Sequence, residues 1–377
     1  MKKVLFLIES LAGGGAEKVL VDVVNHLDSE KFDITLLTVT DGGVWESAVA
    51  SHVKLRAMLN PRNLQNGFFH RTAYRLRYHL LRKLPSGLAY KQSVRGKYDV
   101  VVGFCEGLAT KIAAGAPKQS RKLTWVHVDP IANPHADMVF ASLKSQKTCY
   151  ASFDTICCVS QGVKSQFEKK FGGCPNLRVQ YNPVDENAVR GMAAFTAAIP
   201  KSEGVALVSV GRLVPSKRTD ALLQSLAQLK KEGFAFTLFL LGDGTERSAL
   251  EHFADGSNLR GCVRFLGFQT NPYPYIAQAD LFVSVSLTEG YSTAATEALV
   301  LGVPIVCTNS AGMRELKSGS DCVRIAESPA DFTAILRDLL SDPAARSGMK
   351  DAARLRGRDF LLEKRMEEIT GIIYNGS

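Results

Sequence analysis

Thr288-Glu289-Gly290-Tyr291-Ser292-Thr293-Ala294-Ala295-Thr296-Glu297-Ala298-Leu299 follows the short apolar run 281–284 and reads as a loop that opens a helix. Ser292 or Thr293 can cap that helix. An apolar run, a loop and then a helix is the repeating unit of a parallel sheet covered on both faces. Working outward, the same unit recurs almost throughout. Strands are expected at 4–8, 33–39, 53–55, 100–104, 123–128 and 155–159, then at 206–210, 237–241, 263–266, 281–284, 305–307 and 322–325. Their runs are continuous rather than alternating, so the fold class is α/β, with two doubly wound, Rossmann-like domains. In such sheets ligands sit beyond the carboxyl ends of the strands, and a cleft between the domains would collect those ends.

The quoted stretch also suggests a ligand. Eight residues of pure helix would separate Glu289 from Glu297 by about 12 Å along the axis. A helix start between them favours an anion, whereas carboxylates accept hydroxyl groups. A nucleotide sugar has that layout, with hydroxyls at both ends and phosphates in the middle. The spacing alone leaves open that both are solvated surface carboxylates.

The chain has 377 residues, too many for a single ordinary core, and its composition excludes a disordered or collagenous protein. The Ala-rich, low-information stretch 187–203 divides it into a first domain over 1–186 and a second over 204–357. A terminal helix over 358–377 is free to pack back on the first domain. No apolar run approaches the roughly 18 to 20 residues of a membrane span. The apolar start is cut by Glu9 at five residues, too short for a secretory signal. Eight cysteines without paired spacing suit free thiols in a reducing cytoplasm better than disulfides or zinc.

Four further motifs follow strands. Gly13-Gly14-Gly15-Ala16-Glu17 opens a helix at about 17–27, where glycines allow close backbone approach to a ligand. It lacks the spacing of a dinucleotide loop, and Asp41 lies too far on for a ribose clamp. Gly211-Arg212-Leu213-Val214-Pro215-Ser216-Lys217 places a forked and a point cation where a diphosphate can be neutralised. Gly242-Asp243-Gly244 is mainly turn chemistry. Trp125-Val126-His127-Val128-Asp129 ends a strand, so His127 can meet a substrate, with Asp129 orienting it or serving an acceptor.

Together these residues resemble the retaining glycosyltransferases of family 4, which have the GT-B fold. GGGAE at 13–17, WVHVD at 125–129, VSQGVKSQF at 159–167 and YNPVD at 181–185 carry the match in the first half. GRLVPSK at 211–217, LGDGTER at 241–247 and EGYSTAATEALVLGVPIV at 289–306 carry it in the second. The resemblance implies two Rossmann-like domains facing across a cleft and transfer of a hexose or N-acetylhexosamine with retention. The donor implied is a nucleotide-diphosphate sugar, by family frequency a UDP-sugar, and the acceptor a saccharide or a lipid-linked one. It further implies that Arg212 and Lys217 bind the donor diphosphate and that Glu297 binds the ribose. Glu289, with Gly290, Tyr291, Ser292 and Thr293, would meet the donor sugar. His127 would lie near the reacting carbon, Gly14, Gly15 and Gly242 on the donor side, and Glu17 and Asp129 on the acceptor side. The family often has Pro where Ser292 stands, so its sugar preference does not carry over. No Asp-x-Asp occurs, and no metal or other cofactor is expected. A nucleotide-sugar epimerase or hydrolase of the same fold, and a non-catalytic nucleotide-sugar-binding subunit, are the alternatives.

The formal charge is +9, yet residues 47–98 hold eleven basic residues and no Asp or Glu, which leaves −2 elsewhere. Within that segment Arg71, Arg75, Arg82 and Lys83 interleave with aromatic and aliphatic residues at near-helical spacing. The pattern suits an interfacial helix on an anionic membrane, and equally a helix with a solvated basic face. A cytoplasmic enzyme peripheral to the inner membrane face is therefore the expectation. No nucleic-acid motif accompanies the basic charge.

Overall fold

A computed structural model describes residues 1–59, 68–195 and 203–374, without the side chains of 68–74. The chain forms two compact units, one of Met1–Pro183 with Glu363 onward, the other of Val184–Leu362.

In the first unit the strands are β1 Lys2–Ile8, β2 Phe32–Thr40, β3 Lys54–Leu59, β4 Val100–Gly103, β5 Arg121–Val126, β6 Thr155–Cys158 and β7 Leu177–Val179. Among the described residues they pair, all parallel, in the order β3-β2-β1-β4-β5-β6-β7. Val4 to Leu7 are wholly buried, because β1 has neighbours on both edges and helices on both faces. The strand order reverses between β1 and β4, where Val4 pairs with both Ile34 and Val100. Loops leaving those two strands therefore diverge and open a crevice. The Phe104 ring stacks on Trp125 at 5.5 Å beneath it.

The second unit holds β8 Val205–Val210, β9 Phe236–Leu241, β10 Val263–Gly267, β11 Leu281–Ser284, β12 Ile305–Thr308 and β13 Val323–Ala326. Their order is β10-β9-β8-β11-β12-β13, again parallel, so the reversal falls between β8 and β11. Leu207, Leu222, Leu226, Phe236, Leu238, Leu281 and Phe332 form its core.

The structure divides the chain differently from the composition. The helix Glu186–Ala193, which begins at the last residue of the expected first domain and runs into the expected linker, belongs to the second unit. There Asp185 caps it through the Ala188 amide and Arg190 donates to the Val300 carbonyl. Residues 196–202 of that linker lie outside the described residues. Val184 and Leu361 form a parallel bridge, so the segments entering and leaving the second unit run side by side. The helix Leu362–Tyr374 then packs on the first unit, where Arg121 donates to the Ile372 carbonyl and Gln180 to Glu368. All eight cysteines are free. Among the described residues no helix is long and apolar enough to cross a membrane.

Candidate active site

In the second unit the loops after β8 and β11, the strands that flank the switch point, carry Arg212, Lys217 and Glu289. Lys217 ends a short 3-10 turn, Pro215–Lys217, and the helix after it begins at Thr219 rather than at Lys217 itself. This leaves the lysine on the loop, where its Nζ lies 2.6 Å from Glu289 Oε1. Both side chains are largely buried, at 27% and 13% exposure. Arg212 is exposed and makes no ion pair among the described residues. A crevice of about 20 Å³, lined by Gly211, Arg212, Lys217, Ser284 and Ser286, opens where β8 and β11 end. That is room for little more than one water.

Gly242 has a φ of +133°, and a Cβ there would stand 1.8 Å from the Gly211 carbonyl oxygen. Gly244 would meet the Leu213 carbonyl at 2.2 Å. The Leu213 amide donates to Asp243, and the Glu246 amide to Leu213. The two glycine loops thus lock into each other, and protein packing by itself requires glycine at 242.

Ser292 caps the helix Thr293–Val300 by accepting from the Ala295 amide at 3.4 Å. Its φ of −71° is one a proline would also take, but only the hydroxyl supplies that bond. Thr293 is the first helical residue. Glu297, one turn on, is 4% exposed and accepts the Tyr273 hydroxyl at 3.0 Å. Tyr291 is buried, edge-on to Phe360 at 6.3 Å. The Gly312 amide donates to the Glu289 carbonyl, and a Cβ on Gly312 would come within 2.6 Å of the Gly290 carbonyl oxygen. A glycine beneath the loop therefore sets the position of Glu289.

In the first unit the glycine loop is occupied by its own helix. Glu17 accepts from the amides of Gly13 and Gly14 and from the Ser10 hydroxyl. That is the glutamate half of a capping box at the helix that Gly15 begins, since Gly14 has no side chain to return the bond. The amides of Gly13 and Gly14, which could otherwise hold an anion, are already engaged by a carboxylate.

Glu106 carries the least expected arrangement. It follows β4, and its carboxylate accepts from the amides of His127 and Val128, the latter at 2.7 Å, which fixes the turn after β5. Burial raises its pKa to about 7 against the hydrogen bonds that lower it, with Glu9 adding to the rise. His127 lies against Phe104 at 5.0 Å, and its Nε2 is buried without a partner. Burial lowers its pKa to about 4, so near neutral pH it is an uncharged imidazole. Asp129 does not orient His127. Its carboxylate accepts the amides of Ile131 and Ala132 and shapes its own loop. Glu9, Glu17 and Glu106 all act on the Cys105 thiol, which burial first, and then these charges, push up.

The comparisons match both units. Residues 13–188 fit the model described as Glycosyltransferase Family 4, and residues 204–342 fit that described as Glycosyl transferases group 1. The chain belongs to the group 1 glycosyltransferases. The glycosyltransferase is 27% identical over 365 residues, 96% of each chain, to a Campylobacter jejuni enzyme. That relative is the N-acetylgalactosamine-N,N'-diacetylbacillosaminyl-diphospho-undecaprenol 4-alpha-N-acetylgalactosaminyltransferase. The lipopolysaccharide core biosynthesis glycosyltransferase LpsE of Rhizobium meliloti is 26% identical over 215 residues, 56% of this chain and 60% of that one. The solved structure of Anabaena Alr3699/HepE in complex with UDP and glucose matches with a TM-score of 0.75, at 20% identity and over 98% of each chain. The fold of this glycosyltransferase is GT-B.

The basic helix Phe68–Lys83 belongs to the first unit. Arg75 is exposed, whereas Arg82 turns inward and donates to the Met138 carbonyl. Lys83 lines a pocket at the helix end. The Arg71 side chain lies outside the described residues.

Proposed function

We propose that this glycosyltransferase is a retaining, metal-independent enzyme that takes a hexose or N-acetylhexosamine from a UDP-sugar. It delivers the sugar to a saccharide or lipid-linked acceptor in surface polysaccharide or glycolipid synthesis. The observation that carries this reading is the Lys217–Glu289 pair at the switch point of the second sheet, beside Arg212. A donor diphosphate replaces the Glu289 carboxylate as the partner of Lys217, and Glu289 is freed for the sugar hydroxyls. Departure of the nucleoside diphosphate builds negative charge that Lys217 and Arg212 stabilise. Glu297, held by Tyr273, accepts the ribose hydroxyls.

His127, neutral and with Nε2 unsatisfied, offers a hydrogen bond to substrate without adding charge beside a cationic sugar centre. The bond from the anomeric carbon to the diphosphate breaks, and the acceptor oxygen bonds that carbon on the same face while giving its proton to the departing diphosphate, so the configuration is kept. Support for metal independence comes from the missing Asp-x-Asp. The exposed leucines and arginines of the basic helix support a location at an anionic membrane surface.

The test is a panel of nucleotide sugars, in chelator, with and without saccharide and lipid-linked acceptors. Transfer with retained configuration from a UDP-sugar is the expected result. Donor turnover that never reaches an acceptor would replace this reading with that of a hydrolase or epimerase.

A further inference from the structure

We propose that a pocket in the first unit, built around Lys111 at the end of the basic helix, binds the phosphate of a lipid-linked acceptor. Its apolar wall takes the first part of the lipid chain. The proposal deepens the acceptor half of the function above and rests on it.

The pocket has a volume of about 390 Å³, and Lys83, Lys111, Leu84, Phe140, Ser145 and Thr148 are among its lining residues. This exceeds the lower limit of roughly 300 Å³ for small-molecule sites. Lys111 is only 9% exposed. Its Nζ donates to the carbonyls of Arg82 and Val139 and lies 5.9 Å from the centre of the Phe140 ring, which leaves one ammonium hydrogen and no anion beside the charge. Among the described residues no carboxylate pairs with it and no Asp or Glu lines the pocket. Burial is the main reason its pKa is lowered.

Capping the end of the helix Phe68–Lys83 accounts for the bond to Arg82. It does not account for burying an ammonium against an open pocket with a second lysine beside it. A buried cation answered only by two carbonyls and a ring face is still costly, and an anion in the pocket offsets that cost. The ligand also meets apolar surface. Leu84 and Phe140 form part of the wall, and Leu80, Met138 and Leu143, on the segments that build it, are exposed at 49%, 67% and 48%. A phosphate that carries a hydrocarbon chain satisfies both halves.

The position suits an acceptor. Lys111 lies on the helix Leu108–Ala114, whose first amide donates to Glu9. One turn, roughly 4.5 Å of rise, separates Leu108 from Lys111. Val139, whose carbonyl holds Lys111, also packs beside Gly107, next to Glu106. A phosphate at Lys111 therefore sits on the helix that starts beside the first switch point, where Glu9 accepts the Leu108 amide.

The test is calorimetric titration with farnesyl diphosphate, a soluble isoprenoid diphosphate, on the full chain. Binding is expected, weakened at least tenfold by Lys111→Met and by Thr148→Trp, which fills the pocket from an exposed helix position that folding tolerates. Inorganic pyrophosphate is expected to bind at least tenfold more weakly. Equal affinity for pyrophosphate would make this a free-phosphate site, and displacement by phosphatidylglycerol vesicles would make it a membrane-lipid site. Either result overturns the proposal, as does unchanged binding by Thr148→Trp. UDP binding, measured on the same samples, should not change in the variants. Its absence from the wild type would count against the donor reading, independently of this site.

Discussion

Glu106→Gln offers a quantitative test of the turn that carries His127. Glutamine keeps a carbonyl oxygen for the His127 and Val128 amides but has no charge to bury. The wild-type carboxyl is raised from 4.5 to about 7. As pH climbs through that window the unfolded chain releases the proton while the folded chain still holds it, so stability falls and then levels off above about 7. At about 1.4 kcal/mol per pKa unit, the loss approaches roughly 3 kcal/mol. The variant has no such term. Its stability minus that of the wild type should therefore increase by about 2 to 3 kcal/mol between pH 5 and pH 8. His127 works in the opposite sense, stabilising the fold above about 6.5 and losing that contribution as pH falls towards 4. It is common to both proteins and cancels. Trp45 and Trp125, the two tryptophans, both lie in the first unit, so urea unfolding followed by their fluorescence reports on that unit alone. Parallel pH profiles for the two proteins would refute the buried-carboxyl assignment.

Gly242→Ala should destabilise the second unit by roughly 2 to 4 kcal/mol, because its φ and the Gly211 carbonyl both exclude a Cβ; calorimetry reads this as an earlier unfolding transition. Glu17→Ala removes the bonds to the Gly13 and Gly14 amides and should cost about 1 kcal/mol, seen in the tryptophan signal of the first unit. Glu297→Gln keeps the contact with Tyr273 but weakens acceptance of the ribose hydroxyls. It should raise the donor KM on the order of tenfold with little change in kcat.

Most strands were legible because a parallel sheet covered on both faces demands unbroken apolar runs, as at Val4–Leu7 and Leu238–Leu241. β7 was missed: it is three residues long, lies at a sheet edge and contains Arg178. The helix Glu186–Ala193 was hidden in the expected linker, since its buried face rests on little more than Val189. Lys217, Glu289 and a Ser292 or Thr293 cap stand out in the sequence because each lies in a loop that follows a strand. Glu106 stands at such a position too, directly after β4 at the switch point, and that placement was the available signal. Its partners are backbone amides 21 and 22 residues further on, which no local pattern reveals. The occupation of the first glycine loop by Glu17 was equally hidden, because GGGAE reads the same whether the helix start holds a ligand or its own glutamate.

The central claim is that Lys217 and its neighbours stabilise a departing nucleoside diphosphate. It is tested most directly by turnover of Lys217→Ala with the donor that the panel selects, measured beside its unfolding transition. Loss of this partly exposed ion pair, which leaves Glu289 without its partner, should cost on the order of 1 to 3 kcal/mol of stability. Loss of a cation at the leaving group should lower kcat roughly 100- to 1,000-fold. A folded variant that transfers sugar at the wild-type rate would contradict the account.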